Sequence, residues 1–569
     1  MAWKTHYKVI VILVLLIGFL IRLVPLLPPE INLIRHVPDD AYYLYCEADN
    51  LANGKGLSFD GVNPTTSGRP LYIVFLAGVD LMVGRANLPW VAYSLGVIAE
   101  LLTALLIIRF LRNINLPPPV VILGMVFYIS SAKIIFYGVN GMETPFAILS
   151  IMILLNLYQM KTKTGSSGIP PAIARGITLA VMMLLRLDYI FLVVPVILYE
   201  VWLDIKRRNW DWFWVGAAAG LIMAPWVWWS MATNGSLLPP SSDALTFIFA
   251  PKFTGGLPEL LARFEIFLNA SNTSMYLIIY LFKYNITASL FPLFILFICL
   301  IRKIELRMSL NASDIIISSL LGILVILSSI FDAWRWIGYL LFVAIIIYIL
   351  IILARRYIKF RETLFAIAPV TIGFIALVLF YITIRLFFRP WNMIEGGLIL
   401  SLILGALCAA LLKRRFGPIY ILIVIGWVMA SNIIITISAQ DKGPYPSQER
   451  FYRAAMWVRE NTPPGTVIAA ANGGIIQWYG GRTLVDAAGI EDLEAYKALK
   501  SHSLYHYLKQ RGVQYLIDPK ETPFKYYVDY WGVDIGEKLM TVYDTDALNQ
   551  DTYSVPGVEI IKPIIYQLE

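Results

Sequence analysis

Residues 9–50 read VIVILVLLIGFLIRLVPLLPPEINLIRHVPDDAYYLYCEADN. The opening run, Val9–Leu27, is close to the roughly 20 apolar residues that a bilayer crossing requires. Lys4 and Lys8 precede it; two prolines and a loop with the tandem carboxylates Asp39–Asp40 follow it. A signal peptide has the same charge order, but the run is long and no small-x-small cleavage motif precedes the acidic loop. A retained first span is therefore expected. The rest of the chain has the same balance. Of 569 residues, 58% are hydrophobic and 15% charged, with a mean hydropathy of +0.69. Soluble domains carry about 25% charged residues. This excludes a single soluble enzyme, a disordered chain and a disulfide-stapled module. Three cysteines, two of them (Cys299 and Cys408) inside apolar runs, imply neither a disulfide framework nor a zinc motif.

Apolar runs at 8–27, 91–111, 119–137, 142–160, 172–187, 189–205, 212–231, 284–301, 314–331, 337–354, 364–386, 396–412 and 418–438 predict about thirteen transmembrane helices. The short run 70–84, with Asp80 inside it, is the ambiguous one. If it does not cross, every basic cluster falls on one side: Lys4/Lys8, Arg109/Arg112, Lys161/Lys163, Lys206–Arg208, Arg302/Lys303, Arg355/Arg356 and Lys413–Arg415. Short cytoplasmic loops carry the Lys/Arg excess. The run therefore reads as an interfacial or re-entrant helix, and the N-terminus as cytoplasmic. The outer face then holds the loops 28–90 and 232–283, several short turns and everything beyond 439. Residues 1–439 make the membrane module. Residues 440–569 are more charged and alternate helix-like with strand-like pieces: a helix at 447–461, strands at 466–471, 483–486 and 513–518, a helix near 502–511. That pattern predicts a small extracytoplasmic α/β domain. No internal repeat of the transporter kind is visible.

The outer segment Val37–Gly61 concentrates the chemistry. Carboxylates at the membrane edge are costly to desolvate and need partners. One in a half-buried cleft is also a competent general base or metal ligand. A second reading makes Asp39 the N-cap of a helix starting at Asp40; the two roles are compatible. Glu143, beside Asn140 at the start of a span, suits a divalent cation or an acceptor sugar, or simply a helix N-terminus. Arg186 and Asp188 are spaced to pair with each other. Trp226, Trp228 and Trp229 suit either sugar stacking or the headgroup belt, the latter being commoner. His502 and His506 have a metal spacing but no accompanying carboxylate motif.

The stretches PDDAYYLYCEADNLANGKGLSFDG (38–61) and SGRPLYIVFLAG (67–78) resemble the first outer loop of GT-C superfamily glycosyltransferases, polytopic enzymes that take sugar from a polyprenyl phosphate. The likeness is nearest to the mycobacterial arabinofuranosyltransferase and related mannosyltransferases. It extends in order through GMET (141–144), RLDYIFLVVP (186–195, with Leu187 where a proline is usual), NGSLLPPSSDALTF (234–247) and GGIIQWYGGRTLVDAAGIED (473–492). The resemblance implies a leading acid as catalytic base, which maps to Asp39, with Asp40 as the alternative. The chain departs from the family at Ser241-Ser242-Asp243 and at Phe247, which stands near the place of an expected lysine.

An already activated lipid-phosphate donor needs no nucleotide site, and no Walker-type loop is present. The leaving phosphate needs cations. Arg69, Arg186, Lys252, Arg335 and Arg389 are the outer-face candidates, although Arg389 reads better as an anchor snorkelling to headgroups. Tyr42, Asn140, Glu143 and Asp188 are the candidate substrate contacts; Asp40 and Glu143 are the candidate ligands of a divalent cation (Mg, Mn or Ca). The expected function is inverting transfer of a sugar to a cell-envelope glycan, lipid or protein acceptor at the outer face of the cell membrane, with no nucleic-acid partner. The alternatives are a transporter or flippase of a lipid-linked glycan, for which little mid-span charge is seen, and a non-catalytic assembly protein.

Overall fold

A computed structural model describes residues 2–131, 134–164, 168–237, 239–249, 259, 263, 357–385, 389–411, 443–519, 522–544 and 563–568. The predicted spans 284–301, 314–331, 337–354 and 418–438, the 439/440 boundary, Lys252 and Arg335 lie outside the described residues. The membrane part comprises α1 (Ala2–Leu23), α2 (Asp39–Ala52), α3 (Pro70–Val83), α4 (Leu88–Asn113), α5 (Pro118–Ile129), α6 (Thr144–Thr164), α7 (Ile169–Leu185), α8 (Ile190–Arg207), α9 (Asp211–Asn234), α10 (Pro240–Phe249), α11 (Ile358–Phe380) and α12 (Ile394–Leu411). Prolines sit in the first turn of α3, α4, α5 and α7, where the missing N–H is unpaired in any case. Among the described residues five helices are long and apolar enough to cross a membrane.

Helices α4 to α8, α11 and α12 bury one continuous apolar core. α1 is different: Val9, Ile12, Leu13, Leu16, Ile17 and Leu20 are exposed along its length, as suits a lipid-facing helix. The expected span 119–137 is broken. Its helix stops at Ile129, the polar pair Ser130–Ser131 follows, and residues 134–138 form a separate wide turn. The ambiguous run 70–84 is a helix of 14 residues, roughly 21 Å long at 1.5 Å per residue. That is short of the roughly 30 Å hydrocarbon layer.

Charge inside the membrane module exceeds the expectation. Arg22 and Glu100, both buried, lie 4.0 Å apart, and Arg22 also donates to the carbonyls of Gly18 and Ile129. At the other end of the bundle Lys161 and Arg175 are enclosed by Glu200, Asp204 and Asp211. Each cation thus has a carboxylate beside it, the condition under which buried charge is tolerated.

The C-terminal part comprises α13 (Ser447–Asn461), β1 (Val467–Ala470), α14 (Gly474–Gly480), β2 (Thr483–Asp486), α15 (Leu493–Lys500), α16 (Leu504–Gln510), β3 (Val513–Pro519), β4 (Leu539–Asp544) and β5 (Pro563–Leu568). The sheet order is β2-β1-β3-β5-β4, parallel through β2-β1-β3 and antiparallel at β3-β5-β4. The expected α/β character holds; β4 and β5 are additions to it. Alternate side chains go to opposite faces of a strand. Ala469, Val485 and Leu516 accordingly close a core with α15 and α16. Ile468, Ala470, Leu484, Ile517 and Ile565 face the other way, into a core shared with Ala41, Tyr42, Leu44 and Tyr45 of α2 and with Tyr72 and Leu76 of α3. The outer loop and the C-terminal sheet are thus packed as one body. Phe451 of α13 is 3% exposed in that shared core. Phe451→Ala is expected to cost about 3 kcal/mol through lost burial and a cavity, read as a lowered unfolding midpoint of the detergent-solubilised chain.

Candidate active site

Helix α2 sets the geometry. Its cap position is Pro38, in an extended conformation, and the helix proper begins at Asp39 without a side-chain cap. The reading of Asp39 as cap of its own helix is therefore corrected: its carboxylate faces another helix. It accepts hydrogen bonds from the amides of Gly474 (3.2 Å) and Ile475 (2.8 Å), the first residues of α14. One turn on, the Tyr43 hydroxyl accepts from the Gly473 amide at 2.8 Å. A Cβ at Gly474 would overlap the Asp39 carbonyl oxygen and lie 2.8 Å from Tyr43 Cδ2, so only glycine lets the two segments approach this closely.

Asp39, Asp40, Tyr43 and Leu44 share the face of α2 that borders a cavity of about 770 Å³. Arg69 and Gly68 from the outer loop, Arg186 and Asp188 from the turn after α7, Arg389 before α12, and Asn472 and Glu491 from the C-terminal part also line it. Tyr42 lies on the opposite face of α2, fully buried against Tyr45 and Tyr479. The proposed contact role of Tyr42 is thereby corrected: Tyr43, one residue on, reaches the cavity. Helical rotation of about 100° per residue accounts for the difference.

The cations are held by acids. Arg69 Nε lies 2.9 Å from Glu143, and its other end 3.9 Å from Asp40. Arg186 makes a two-point contact with Asp188 (2.6 and 3.1 Å) and a bond of 3.0 Å to Glu395. Asp188 also accepts from the Tyr381 hydroxyl at 2.7 Å, and Glu395 from Tyr189. The expected Arg186–Asp188 pairing is present. Glu395, a lone acid at the start of an apolar run, is a partner that the sequence reading passed over. Asn140 and Glu143 are buried and do not line the cavity; Glu143 acts on it through Arg69. The turn that carries them is fixed by the Gly141 carbonyl, which accepts from both the Tyr45 and Tyr72 hydroxyls at 2.9 Å. Gly141 has φ 74°, and a Cβ there would overlap the Tyr45 hydroxyl.

Arg389 lines the cavity and draws Asp39 electrostatically, which is more than the anchoring expected of it. Asp39 is half-buried. Enclosure of its carboxylate, reinforced by Asp40, raises its pKa to about 6 against the pull of the two amides and Arg389. Glu491 is raised to about 7, mainly by burial, and accepts from Thr65 at 2.5 Å. Ser241, Ser242, Asp243 and Phe247 border the same cavity. Phe247, in place of the family's lysine, packs against Tyr530 and Tyr496 and so docks α10 onto the C-terminal part.

Among the described residues no group of three or more His, Cys, Asp or Glu side chains is arranged to hold a metal ion; Asp40 and Glu143 share Arg69 between them. His502 and His506 do not form a helical pair: His502 lies in a left-handed turn before α16, bonded to the Asp529 carbonyl. Trp229 donates to the Thr65 carbonyl at 3.3 Å, and Trp228 is exposed.

A family model described as a domain of unknown function (DUF8728) matches residues 438–555. No curated protein matches the chain. Among solved structures, ArnT from Cupriavidus metallidurans bound to undecaprenyl phosphate is similar over 100% of this chain and 98% of that one, at 11% identity and a TM-score of 0.52. An archaeal oligosaccharyltransferase, AglB from Archaeoglobus fulgidus in complex with an inhibitory peptide and a dolichol-phosphate, aligns over 94% of this chain and 72% of its own, at 13% identity and a TM-score of 0.47. The first likeness shows the fold: a multi-pass membrane helix module with a small C-terminal α/β part. Gly474→Ala is expected to cost about 1–3 kcal/mol by overpacking and to speed hydrogen exchange at the amides of residues 474 and 475, measured by mass spectrometry.

Proposed function

We propose that this chain is an integral membrane glycosyltransferase that moves a sugar from a polyprenyl-phosphate donor to a cell-envelope glycan, lipid or protein acceptor, with inversion, at the outer face of the membrane. The observation that carries the reading is the meeting of Asp39 and Asp40 with Arg69, Arg186 and Arg389 around one cavity, where the membrane helices join the C-terminal sheet. ArnT, whose fold this chain shares, was solved with undecaprenyl phosphate bound.

In this reading the acceptor hydroxyl gives its proton to Asp39 as its oxygen bonds to the anomeric carbon. The bond from that carbon to the donor phosphate breaks, and the electron pair leaves with the phosphate. A base poised near the working pH transfers protons most effectively, and a carboxylate raised to about 6 is closer to that condition than an ordinary aspartate. The two backbone amides fix its direction without consuming both lone pairs of each oxygen. The charge growing on the phosphate meets guanidinium groups already in place. Arg69 and Arg186 are oriented by Glu143, Asp188 and Glu395. Asp40, spanning toward Arg69, orients the acceptor. Asp40 and Glu143, expected to hold a divalent cation, have Arg69 between them instead, so the positive charge beside the phosphate comes from the guanidinium. The buried Arg22–Glu100 pair is not part of the cavity lining.

The test is transfer by the purified protein from a panel of polyprenyl-phosphate sugars, scored by released lipid phosphate. Asp39→Asn is expected to lower turnover by about 10²–10⁴ with insertion and unfolding midpoint retained; near-normal turnover would remove Asp39 as base. The proton-accepting form is lost as pH falls through the folded pKa. Hence kcat/KM should decline below a pH of about 6. The limb should remain in Glu491→Gln, which deletes the neighbouring carboxyl that burial also raises. A limb that moves with Glu491 instead would assign the ionisation to that residue.

A further inference from the structure

A second cavity, of about 570 Å³, opens on the other side of the α2–α14 contact. Its walls carry Lys55, Arg85, Arg459 and Arg482 against one carboxylate, Asp60. These cations come from three separate segments: the loop after α2, the end of α3, and the α13–β2 region. Asp60 offers little to balance them. It already accepts from the Ser58 hydroxyl, the Val62 and Asn63 amides and the Asn63 side chain, and pairs with Arg511 at 3.5 Å.

The state of each cation matters more than the count. Arg85 pairs with Asp49, donates to the Trp478 carbonyl at 3.0 Å and lies 4.3 Å over the Trp478 ring. Arg482 is different. Its Nε donates to the Thr462 hydroxyl and its terminal nitrogens to the carbonyls of Gly481, Arg459 and Thr462. All these acceptors are neutral. The guanidinium is held in one orientation, and among the described residues no carboxylate pairs with it. Lys55 and Arg459 are exposed, and neither makes an ion pair among the described residues. Fixed positive charge in a concave, polar-walled site focuses the field and attracts an anion.

We infer that this cavity is an anion-binding site, distinct from the site of transfer, that takes a phosphate group. The inference goes beyond the proposed transferase activity and does not depend on it. The phosphate has two sources with the same chemistry, a phospholipid headgroup or a free phosphate. The headgroup is the source favoured: Arg85, in the cavity wall, stands in the turn after α3, whose last residues include Leu81 and Met82, 73% and 85% exposed, and exposed apolar side chains next to a basic group suit a lipid surface.

The experiment is hydrogen exchange of the full-length protein, in neutral detergent with inorganic phosphate added, and in vesicles of phosphatidylcholine with or without phosphatidylglycerol. Phosphate-dependent protection is expected at residues 55–62 and 477–483. In the double variant Lys55→Glu/Arg459→Glu, both at exposed positions, the concentration needed should rise by about tenfold or more. Protection near residues 186–190, in the first cavity, should not change with that variant, which separates the two sites. Protection by phosphatidylglycerol vesicles at phosphate levels that give none in detergent assigns the headgroup; protection by inorganic phosphate alone assigns the free anion. No protection in either arm, or protection indifferent to the double variant, overturns the inference.

Discussion

The contact between the Asp39 carboxylate and the amides of Gly474 and Ile475 joins the two ends of the chain, and the site depends on it. A carboxylate at the edge of a membrane helix bundle has to find donors. Here the donors are backbone groups at the start of a helix more than four hundred residues away. Because α2 and the C-terminal sheet also share an apolar core, the hydrogen bonds are made between surfaces that are already packed. Asp39 is thereby both a structural acceptor and the acid whose pKa is pushed toward neutrality.

The cavity beside this contact is built from acid–base pairs in which no partner is fully satisfied by one other. Arg186 is shared between Asp188 and Glu395, and Arg69 between Glu143 and Asp40. Shared pairing fixes the guanidinium planes at the cavity wall, and positive charge already in place stabilises negative charge that develops beside it. The tyrosines 189 and 381 tie the same acids to α8 and to the turn after α11, so the arrangement is held by the membrane helices as well as by the outer loop.

Much of this was legible in the sequence, for physical reasons. Apolar runs report on the membrane directly, so the described helices at 88–113, 144–164, 190–207 and 211–234 fall close to their expected limits, while the run 119–137 breaks at the polar pair Ser130–Ser131. Strand β2 and helix α13 match because proline, glycine and hydrophobic alternation mark their ends. The acid pair after the first span and the Arg186–Asp188 turn were visible because charges beside apolar runs require partners. What was hidden is what a linear reading lacks. Rotation along α2 puts Tyr43 rather than Tyr42 at the cavity. The donors to Asp39 are backbone groups with no side-chain signature. Glu395, Glu491 and Arg389 reach the site from distant segments. Phe247 breaks an expected lysine pattern, and its use is clear only from the aromatic rings it meets. Strands β4 and β5 lack turn signals strong enough to announce them.

The account rests on displacement at a sugar carbon inside the first cavity. The most direct measurement is the anomeric configuration of the product relative to the donor, followed by nuclear magnetic resonance during turnover of the purified protein. The account predicts inverted configuration together with one free polyprenyl phosphate for each bond formed. Retained configuration, or donor that moves across vesicle membranes with its sugar–phosphate bond intact, would contradict it.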